Sequence, residues 1–392
     1  MAHHKFLYHT AIPKIIISLK FQKWKQFTYA NLCYNPFMKI LFITDLYPVK
    51  EDEKTTPRTL YDFVQGFRKS GHEVKVLKPN FILNSFLRGK PFYKTGQYND
   101  VYNVNYFLPF VNVKLPEQLQ NFNPDIVLAH MPSGILFAEK LGLMFAAGIH
   151  NSDLEVLTNP LYSVYFKNRL KAALYKAKAI ACRSEVIRQK LIKLFPDLEE
   201  KTFSAPSGID KSLIADFNKA PLHSPVKVLT CANFKKRKNI DKVIEACKGL
   251  ESFELTVIGD GREDRNLKKI DKSVKFTGRL TNDKVLEKMR DSDVFVLPSV
   301  NETFGMVYLE AMSQGCITIC TKDDGISGII KDGENGFLTL PISTEIRKIL
   351  LNIKNMDDDT LNTLRYNSFH TIKKFTSEVC CEQYLQQLLK IL

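Results

Sequence analysis

The stretch DVFVLPSVNETFGMVYLEAM, residues 293 to 312, reads as a strand, a turn and a helix in immediate succession. Its first part is a short apolar run, typical of a strand that is buried on both faces. Glu302 lies in the turn, Glu310 lies inside the helical segment, and Gly305 stands between them. A backbone without a side chain admits an anion at a helix N-terminus, where the helix dipole favours negative charge. The stretch therefore predicts a strand-turn-helix unit with an anion site at its turn.

The same alternation of strand and helix extends in both directions along the chain. The runs with strand character are KILFITDLY (39–47), HEVKVLKP (72–79), DIVLAHM (125–131), GLMFAAGIH (142–150), AKAIACRS (177–184), VKVLTCAN (226–233), FELTVIGDG (253–261), VKFTGR (274–279), DVFVLPS (293–299) and CITICT (316–321). Amphipathic segments separate them, such as TPRTLYDFVQGFRKSG, which has Pro57 near its start and Gly71 at its end. This alternation predicts parallel sheets covered by helices on both faces.

Residues 80–112 interrupt the alternation with an aromatic, basic and loop-like segment. Its length favours a functional insertion, and core packing of its Phe and Tyr residues is an equal alternative. A second boundary falls near residues 206–225, which are rich in Pro, Ser and Ala.

The chain of 392 residues is too long for one ordinary hydrophobic core. We therefore predict an α/β protein with two Rossmann-like, doubly wound parallel-sheet domains that face each other across a cleft. Residues 1–37 form a basic extension, 38–207 the first domain, and 208–375 the second domain. The final segment, 376–392, is amphipathic. Ligands of such sheets bind at the carboxyl ends of the strands, so function is expected between the domains.

The formal net charge is +14, and residues 1–37 contain five lysines and no acidic residue. The densest basic stretch is 167–193, in which Glu185 is the only acid. Such a face suits a phosphate-bearing partner or an anionic membrane surface, and a solvated helix face is the alternative. We expect no nucleic-acid partner.

Eight cysteines are scattered without metal-ligand spacing, which favours reduced thiols and a cytoplasmic location. No apolar run is long enough to span a membrane. Met38 resembles a natural chain start, so residues 1–37 are interpreted as dispensable; lying on a membrane surface is the alternative.

The turn of the opening stretch supplies donors and acceptors for a nucleotide-sugar. The amides of Phe304, Gly305 and Met306 are expected among the unpaired donors of the first helical turn. Glu302 is expected at the mouth of this site, and Glu310, deeper in the helix, accepts hydrogen bonds from a diol. The alternative is that Glu302 caps the helix and Glu310 lies on its surface.

SVNETFGMVYLEAMSQGCITICT (299–321), followed by GISGIIKDGENGFL (325–338), resembles the family-4 retaining glycosyltransferases of the GT-B fold (glycosyl transferases group 1). Members of that family carry two glutamates separated by seven residues, as Glu302 and Glu310 are. CANFKKRKNID (231–241) resembles the family's basic motif, VIGDG (257–261) its glycine turn, and FTGRL (276–280) the segment that meets the base.

This resemblance implies that 38–207 is the acceptor-side domain, that 208–375 is the donor-binding domain, and that 376–392 packs back on the first domain. It also implies a role for each matching residue. The implied catalytic residues are Glu302, which contacts the donor sugar, Lys238, which pairs with the phosphates, and His150 in AAGIHNSD, which faces the donor. The implied nucleotide-binding residues are Glu310 at the ribose, the Thr303, Phe304 and Gly305 amides at the diphosphate, Asn233, Gly259 and Gly261, and Gly278 and Arg279 near the base. His130 is the second choice for the histidine.

Two positions depart from the family pattern. Asn233 stands where the family usually has an arginine, and Arg237 or Lys236 is the candidate replacement for its charge. The loop 47–59 contains no glycine, which leaves Thr55 and Thr56 as substitutes near the diphosphate.

Asp291 and Asp293 match an Asp-x-Asp metal motif, but they join a helix to a strand, so capping roles are expected. We expect no catalytic metal and no cofactor, with a UDP-sugar favoured over a GDP-sugar as the donor. The implied function is hexosyl transfer, with retention, to a saccharide or lipid-linked saccharide in surface polysaccharide biosynthesis, peripherally at the inner membrane face. The alternatives are an inactive GT-B-like scaffold that binds a partner and a nucleotide-sugar epimerase.

Overall fold

The computed structural model describes residues 37–50, 53, 56, 58–82, 92–106, 114–216 and 221–392. The predicted dispensable extension at 1–37, apart from Phe37, lies outside the described residues, and so do Thr55 of the first loop and Pro57 near the predicted helix start. Every other segment named above is described at least in part.

The first domain is built on an eight-stranded sheet. Its strands are β1 (Lys39–Ile43), β2 (Glu73–Phe81), β3 (Gly96–Tyr98), β4 (Val101–Tyr106), β5 (Ile126–His130), β6 (Ala146–Ile149), β7 (Ala179–Cys182) and β8 (Thr202–Ser204). They lie in the order β3-β4-β2-β1-β5-β6-β7-β8, and every pairing is parallel except β3 with β4. Its helices are α1 (Thr59–Lys69), α2 (Glu117–Gln120), α3 (Met131–Lys140), α4 (Asn151–Thr158), α5 (Val164–Lys176) and α6 (Glu185–Leu194).

The second domain is built on a six-stranded sheet, parallel throughout. Its strands are β9 (Val226–Cys231), β10 (Phe253–Ile258), β11 (Lys275–Gly278), β12 (Val294–Leu297), β13 (Ile317–Thr321) and β14 (Phe337–Thr339), in the order β11-β10-β9-β12-β13-β14. Its helices are α7 (Ile240–Cys247), α8 (Asp264–Ile270), α9 (Asn282–Arg290), α10 (Met306–Ser313), α11 (Ser343–Lys354) and α12 (Asp358–Ile372). The strand order reverses beside β9, as in dinucleotide-binding sheets. The predicted fold class of two doubly wound domains is confirmed.

The apolar runs became central strands because their side chains are buried on both faces of the sheet. All four residues of β12, for example, are buried, and so are all five of β13. Alternate residues of β1 contribute to two separate clusters: Leu41 and Ile43 pack on one face, while Ile40 and Phe42 pack on the other. Two hydrophobic layers of this kind also cover the second sheet.

The prediction of a loop-like insertion at 80–112 is wrong in its described part. β4 pairs in parallel with β2 over six residues, from Val76 opposite Val101 to Phe81 opposite Tyr106. The asparagines within VYNVNY concealed this strand, since Asn is depleted in strands. Asn103 is tolerated there because its amide donates to the carbonyl oxygens of Tyr93 and Lys94. The short strand β14 was also missed.

The C-terminal helix α13 (Ser377–Ile391) belongs to the core of the first domain. Cys381, Tyr384, Leu385 and Leu388 are buried in the same cluster as Phe63 and Phe67 of α1. The chain reaches it by leaving the second domain at Phe375, whose carbonyl accepts from the amide of Ile209 at 2.9 Å. Within the described residues, no helix combines the length and the apolar character needed to cross a membrane.

Candidate active site

The carboxyl ends of both sheets border a cavity of about 1130 Å³ between the domains. First-domain residues form one wall and the turn after β12 forms the other. The lining residues used below are His150, Asn151, Arg183, Lys190, Lys193 and Ser207 from the first domain, and Arg237, Glu302, Thr303 and Gly305 from the second. The strand ends meet here because both sheets are parallel and their carboxyl edges face each other.

Glu302 is the centre of charge on the second-domain wall. Lys238 and Arg237 each donate to its Oε1 at 2.5 Å, and the hydroxyl of buried Ser299 donates to the same oxygen at 2.9 Å. Burial would raise the pKa of Glu302, but the charges of Lys238 and Arg237 outweigh it and hold that pKa below its ordinary value. Glu302 is therefore ionised and paired, and it does not act as a helix cap.

Asp324, which sequence reasoning missed, holds the turn that carries Glu302. Its carboxylate accepts from the amides of Asn301, Glu302 and Gly325, the last two at 3.0 and 2.8 Å. The side chain is buried, and burial raises its pKa although these hydrogen bonds act in the opposite direction. The available signal was its position just after β13, at the carboxyl edge of the sheet next to β12.

Helix α10 begins at Met306, later than predicted. Gly305 is its N-cap, with φ of +90°, and a Cβ there would come within 2.5 Å of the Tyr308 ring. That ring is fixed because its hydroxyl donates to the Leu297 carbonyl at 2.7 Å. The free first-turn donors are consequently the amides of Gly305, Met306 and Val307, which bond to nothing in the described part of the chain. The predicted donor Phe304 precedes the helix.

A smaller cavity of about 360 Å³ opens beside Glu302 in the second domain. It is lined by the predicted nucleotide-site residues Asn233, Lys238, Gly259, Arg279 and Gly305, together with Asp260, Met306 and Val307. Gly259 packs so closely that a Cβ would lie 1.9 Å from the Ala232 carbonyl oxygen. Gly261 is in the turn after β10, Gly278 is the last residue of β11, and Arg279 pairs with Asp260 at 3.0 Å.

Glu310 is half-buried on α10, one turn after Met306, which lines both cavities, and is not itself among their lining residues. Burial raises its pKa, and its charge raises the pKa of Cys231 at the carboxyl end of β9. The described residues donate no hydrogen bond to its carboxylate, so its oxygens are available to an external donor. Glu310 is therefore not the exposed helix-surface residue of the alternative interpretation.

Asn233 stands where the family usually has an arginine, and Arg237 lines the large cavity. Besides Glu302, its guanidinium reaches the carbonyls of Val300 and Asn301 at 3.3 and 3.4 Å. Of the two candidate replacements for the missing charge, the structure places Arg237, and not Lys236, in the lining of the large cavity.

His150 and His130 form a buried pair at the end of the first sheet. His150 lines the cavity, whereas His130 is fully buried behind it, with its Nδ1 at 3.2 Å from Nε2 of His150. Burial, and then the charge of Arg183, lowers the pKa of His150 to about 3; burial also lowers the pKa of His130 far below its ordinary value. Both rings are therefore neutral at pH 7, and His150 alone faces the cavity.

Asp153 positions His150 and was also missed. Its carboxyl oxygen Oδ2 accepts from the His150 amide at 2.7 Å at the start of α4, and full burial raises the pKa of Asp153 to about 8. A carboxylate three residues after a helix start is a capping-box pattern, which was the signal in HNSD.

Two other predicted residues, Asp293 and Thr56, form hydrogen bonds within their own domains. Asp293 is buried and accepts from the amides of His223 and Lys227 at 3.1 and 2.9 Å, with Arg365 at 3.6 Å. Thr56 is buried and donates to Glu53, away from both cavities.

The two domains touch across the cavity. The Asn151 amide donates to Thr303 Oγ1 at 3.3 Å, and the Asn151 side chain donates to the Asn301 carbonyl at 3.2 Å. His150 and Glu302 are neighbours of this pair in sequence, so the bridge brings together one implied catalytic residue from each domain.

Comparison with known proteins agrees with this arrangement. Residues 56–213 match the model of Glycosyltransferase Family 4, and residues 214–365 match that of Glycosyl transferases group 1. The chain belongs to the family-4 glycosyltransferases of the GT-B fold.

Individual members of the family are similar to this chain at modest identity. The lipopolysaccharide core biosynthesis glycosyltransferase LpsE of Rhizobium meliloti is 26% identical, over 70% of this chain and 79% of LpsE. An uncharacterised glycosyltransferase of Methanocaldococcus jannaschii is 28% identical, over 63% of this chain and 68% of its own. Among solved structures, Anabaena HepE in complex with UDP and glucose has a TM-score of 0.62 at 18% identity and covers 90% of this chain and 99% of HepE. The match with HepE concerns the fold alone.

Proposed function

We propose that this glycosyltransferase moves a hexosyl group from a nucleotide-sugar, preferably a UDP-sugar, to a lipid-linked saccharide in surface polysaccharide biosynthesis, with retention of anomeric configuration. The observation that carries the proposal is the cluster of Glu302, Lys238 and Arg237 beside free helix-terminal amides, with His150 on the facing wall. Cations and oriented amides together suit a departing diphosphate, and a carboxylate suits sugar hydroxyls.

Under this proposal the donor lies across both cavities. Its diphosphate contacts the Gly305 to Val307 amides and Lys238, its ribose donates to Glu310, and its base lies near Gly278 and Arg279. The crystallised complexes of Anabaena HepE with UDP-glucose and with UDP support a uridine nucleotide. The name of LpsE supports a surface polysaccharide as the product.

The transfer breaks the bond between sugar C1 and the phosphate oxygen and forms a bond from C1 to the acceptor oxygen on the same face. The proton of the acceptor hydroxyl passes to the departing phosphate oxygen. Negative charge grows on that phosphate, and preorganised Lys238, Arg237 and amide donors stabilise it without reorganisation. The neutral His150 offers a hydrogen bond to a sugar hydroxyl without adding charge. No catalytic metal is part of this proposal, and the enzyme is proposed to act peripherally at the cytoplasmic membrane face.

The test is a thermal-shift panel of UDP-, GDP- and ADP-sugars on the full chain. A ligand at one hundred times its dissociation constant stabilises by about 2.7 kcal/mol, which is readily measured. We expect the UDP series to stabilise the parent and Glu302→Gln, but not Glu310→Ala, while transfer or donor hydrolysis is lost in Glu302→Gln. Glu334→Gln is the matched control, because Glu334 is an exposed carboxylate of the second domain that lines neither cavity. A parent that is stabilised by none of these donors favours the scaffold alternative, which Asn233 motivates.

Product analysis then separates transfer from epimerisation. A released nucleoside diphosphate and an α-linked product from an α-linked donor support retention. Conversion of the donor into another nucleotide-sugar contradicts transfer.

A further inference from the structure

Arg183 is a buried charge that forms no ion pair with any residue that the structure describes. It follows β7 directly, is only 1% exposed, and lines the cavity between the domains. Its guanidinium donates to the Ser207 hydroxyl, and its Cζ lies 4.2 Å from the centre of the Phe63 ring. Its Nη1 has no hydrogen-bond partner among the described residues. Removing a guanidinium from water is costly unless a carboxylate or another anion compensates it.

The side chains around Arg183 do not supply that anion. The groups whose charge acts favourably on it are the phenol of Tyr384 and the thiols of Cys381 and Cys380, all of α13. Burial raises the pKa of each of the three, so all are neutral at pH 7. On the open side stands His150, which is neutral as well. The charge of Arg183 is therefore uncompensated in the described part of the chain.

Further cations stand on the same wall. Lys190 and Lys193, one turn apart on α6, line the cavity. Neither is within ion-pair distance of a described carboxylate, although the charge of Lys190 acts on the buried Asp324, which lies outside the cavity lining. The carboxylates in the lining are Glu302, which Lys238 and Arg237 already neutralise, and the exposed Glu155. The first-domain half of the cavity thus carries a net positive field, weakly screened around Arg183 because water is excluded there.

We propose that this half of the cavity binds an anionic group of the acceptor, a phosphate or a carboxylate, with Arg183 and Lys190 supplying the charge and Ser207 a hydroxyl. The inference rests on the proposed transferase function and names the class of its acceptor. The donor phosphates already have Lys238, Arg237 and the amides before α10, all in the second domain. Arg183 lies on the opposite wall, which leaves it for the second substrate.

The test uses the full chain saturated with UDP, so that the donor site is occupied, and titrates glucose 6-phosphate, malonate or neutral glucose by calorimetry. We expect one of the anions to bind and glucose not to bind. Arg183→Met weakens anion binding at least tenfold and leaves UDP affinity within twofold. Arg183→Lys keeps part of the anion affinity because it keeps the charge. Lys171→Gln removes one charge from the same basic stretch, outside the cavity lining, and serves as the control.

The ligand-free stability of Arg183→Met is an independent measurement. Replacing an uncompensated buried charge by an apolar side chain of similar length is neutral or stabilising, so we expect an unchanged or higher Tm. A lower Tm together with unaltered anion binding would overturn the proposal and make Arg183 structural.

Three further outcomes are decisive. UDP affinity that falls tenfold in Arg183→Met, with anion binding intact, assigns Arg183 to the donor and overturns the proposal. Absence of anion binding to the UDP-saturated parent also overturns it. If UDP itself fails to bind the parent, the donor proposal fails, and the anion titration is repeated without nucleotide. Anion binding that is lost in Arg183→Met but kept in Lys238→Gln then still supports an anion site at Arg183. Equal loss of anion binding in both variants overturns the anion site.

Discussion

At the scale of single residues, burial decides which of two similar histidines reaches the cavity. His130 and His150 each follow a strand at the carboxyl edge of the first sheet, and nothing in their local sequence separates them. The structure places the ring of His130 against Phe42 at 4.7 Å, inside the core, with His150 between it and the cavity. The resemblance to a family motif selected His150, whereas composition and spacing alone left both open, since side-chain packing depends on distant elements.

The neutral state of His150 predicts a pH dependence of stability. Its folded pKa of about 3 lies below the unfolded value near 6.5, so the unfolded state binds the extra proton in this range. Keeping the His150 ring neutral therefore costs no stability above pH 6.5, and the free energy of unfolding decreases as the pH falls from 6.5 towards 3. We expect the free energy of unfolding of the parent, relative to His150→Gln, to fall by about 1.4 kcal/mol per pH unit in that window. Urea unfolding at pH 7.5, 6.0 and 5.0 measures it.

His223→Gln is the control for that measurement, because His223 is exposed and lies in the second domain beside Asp293. A difference between parent and His150→Gln that stays constant from pH 7.5 to 5.0 would show that His150 is not held neutral.

At the scale of structural elements, the sequence predicted the β12-turn-α10 unit but not Asp324, the residue that holds its turn. The apolar run, the turn and the helical segment are local features of the sequence. Asp324 is 22 residues from Glu302 and belongs to the loop after β13, so its contact exists only because β12 and β13 pair side by side. The start of α10 was predicted too early for a related reason: Gly305 is an N-cap in the left-handed conformation, and the Tyr308 ring packs against it where a Cβ would otherwise lie.

Asp324→Asn is expected to loosen the Glu302 turn. The carboxylate accepts from three amides through two oxygens, whereas an asparagine would turn its NH₂ towards the Asn301 amide and leave that donor unpaired. A lost hydrogen bond of this kind costs about 1–3 kcal/mol. We expect a lower Tm and a turnover reduced about tenfold, with UDP affinity less affected. Its neighbour Asp323 is exposed, and Asp323→Asn is expected to leave both measurements near the parent; equal effects of the two substitutions would be inconsistent with this role.

Gly305→Ala tests the same unit from its other side. Gly305 and Gly315 both have φ between +80° and +90°, so an alanine at either position adopts the left-handed region at a cost of about 1–2 kcal/mol. Only at Gly305 does the new Cβ meet a ring, that of Tyr308. We expect Gly305→Ala to lower the free energy of unfolding more than Gly315→Ala and to weaken UDP binding. Similar losses of stability and affinity in both variants would rule out the Tyr308 contact as the cause.

At the scale of the whole molecule, the two doubly wound domains were predictable because the alternation of strands and helices is visible in short stretches of the sequence. The sequence also placed the function in the cleft, since parallel sheets present their carboxyl ends there. It did not predict that 80–112 adds β3 and β4 to the sheet edge, because asparagine-rich strands lack the apolar pattern. Nor did it reveal Arg183 as a cavity residue: in ACRSE this side chain looks like part of a solvated basic helix face, and only the packing of α13 and Phe63 buries it.

The hydrogen bonds that Asn151 forms with the second domain lead to a prediction about the exclusion of water. Asn151 contacts Asn301 through its side chain and Thr303 through its amide, so Asn151→Ala removes the first contact and Thr303→Val the second. Each bond contributes about 1 kcal/mol to closure, and closure excludes water from the donor. We expect each variant to raise the ratio of donor hydrolysis to transfer several-fold, and the double variant to raise it further, while UDP affinity stays near that of the parent. The measurement is free sugar and transferred sugar from one radiolabelled donor. Asn159→Ala, at the other end of α4, is the control, since its side chain accepts from the Leu161 amide of the same domain. If the ratio in Asn151→Ala equals that in Asn159→Ala, this bridge does not gate water, and closure must depend on the substrates themselves.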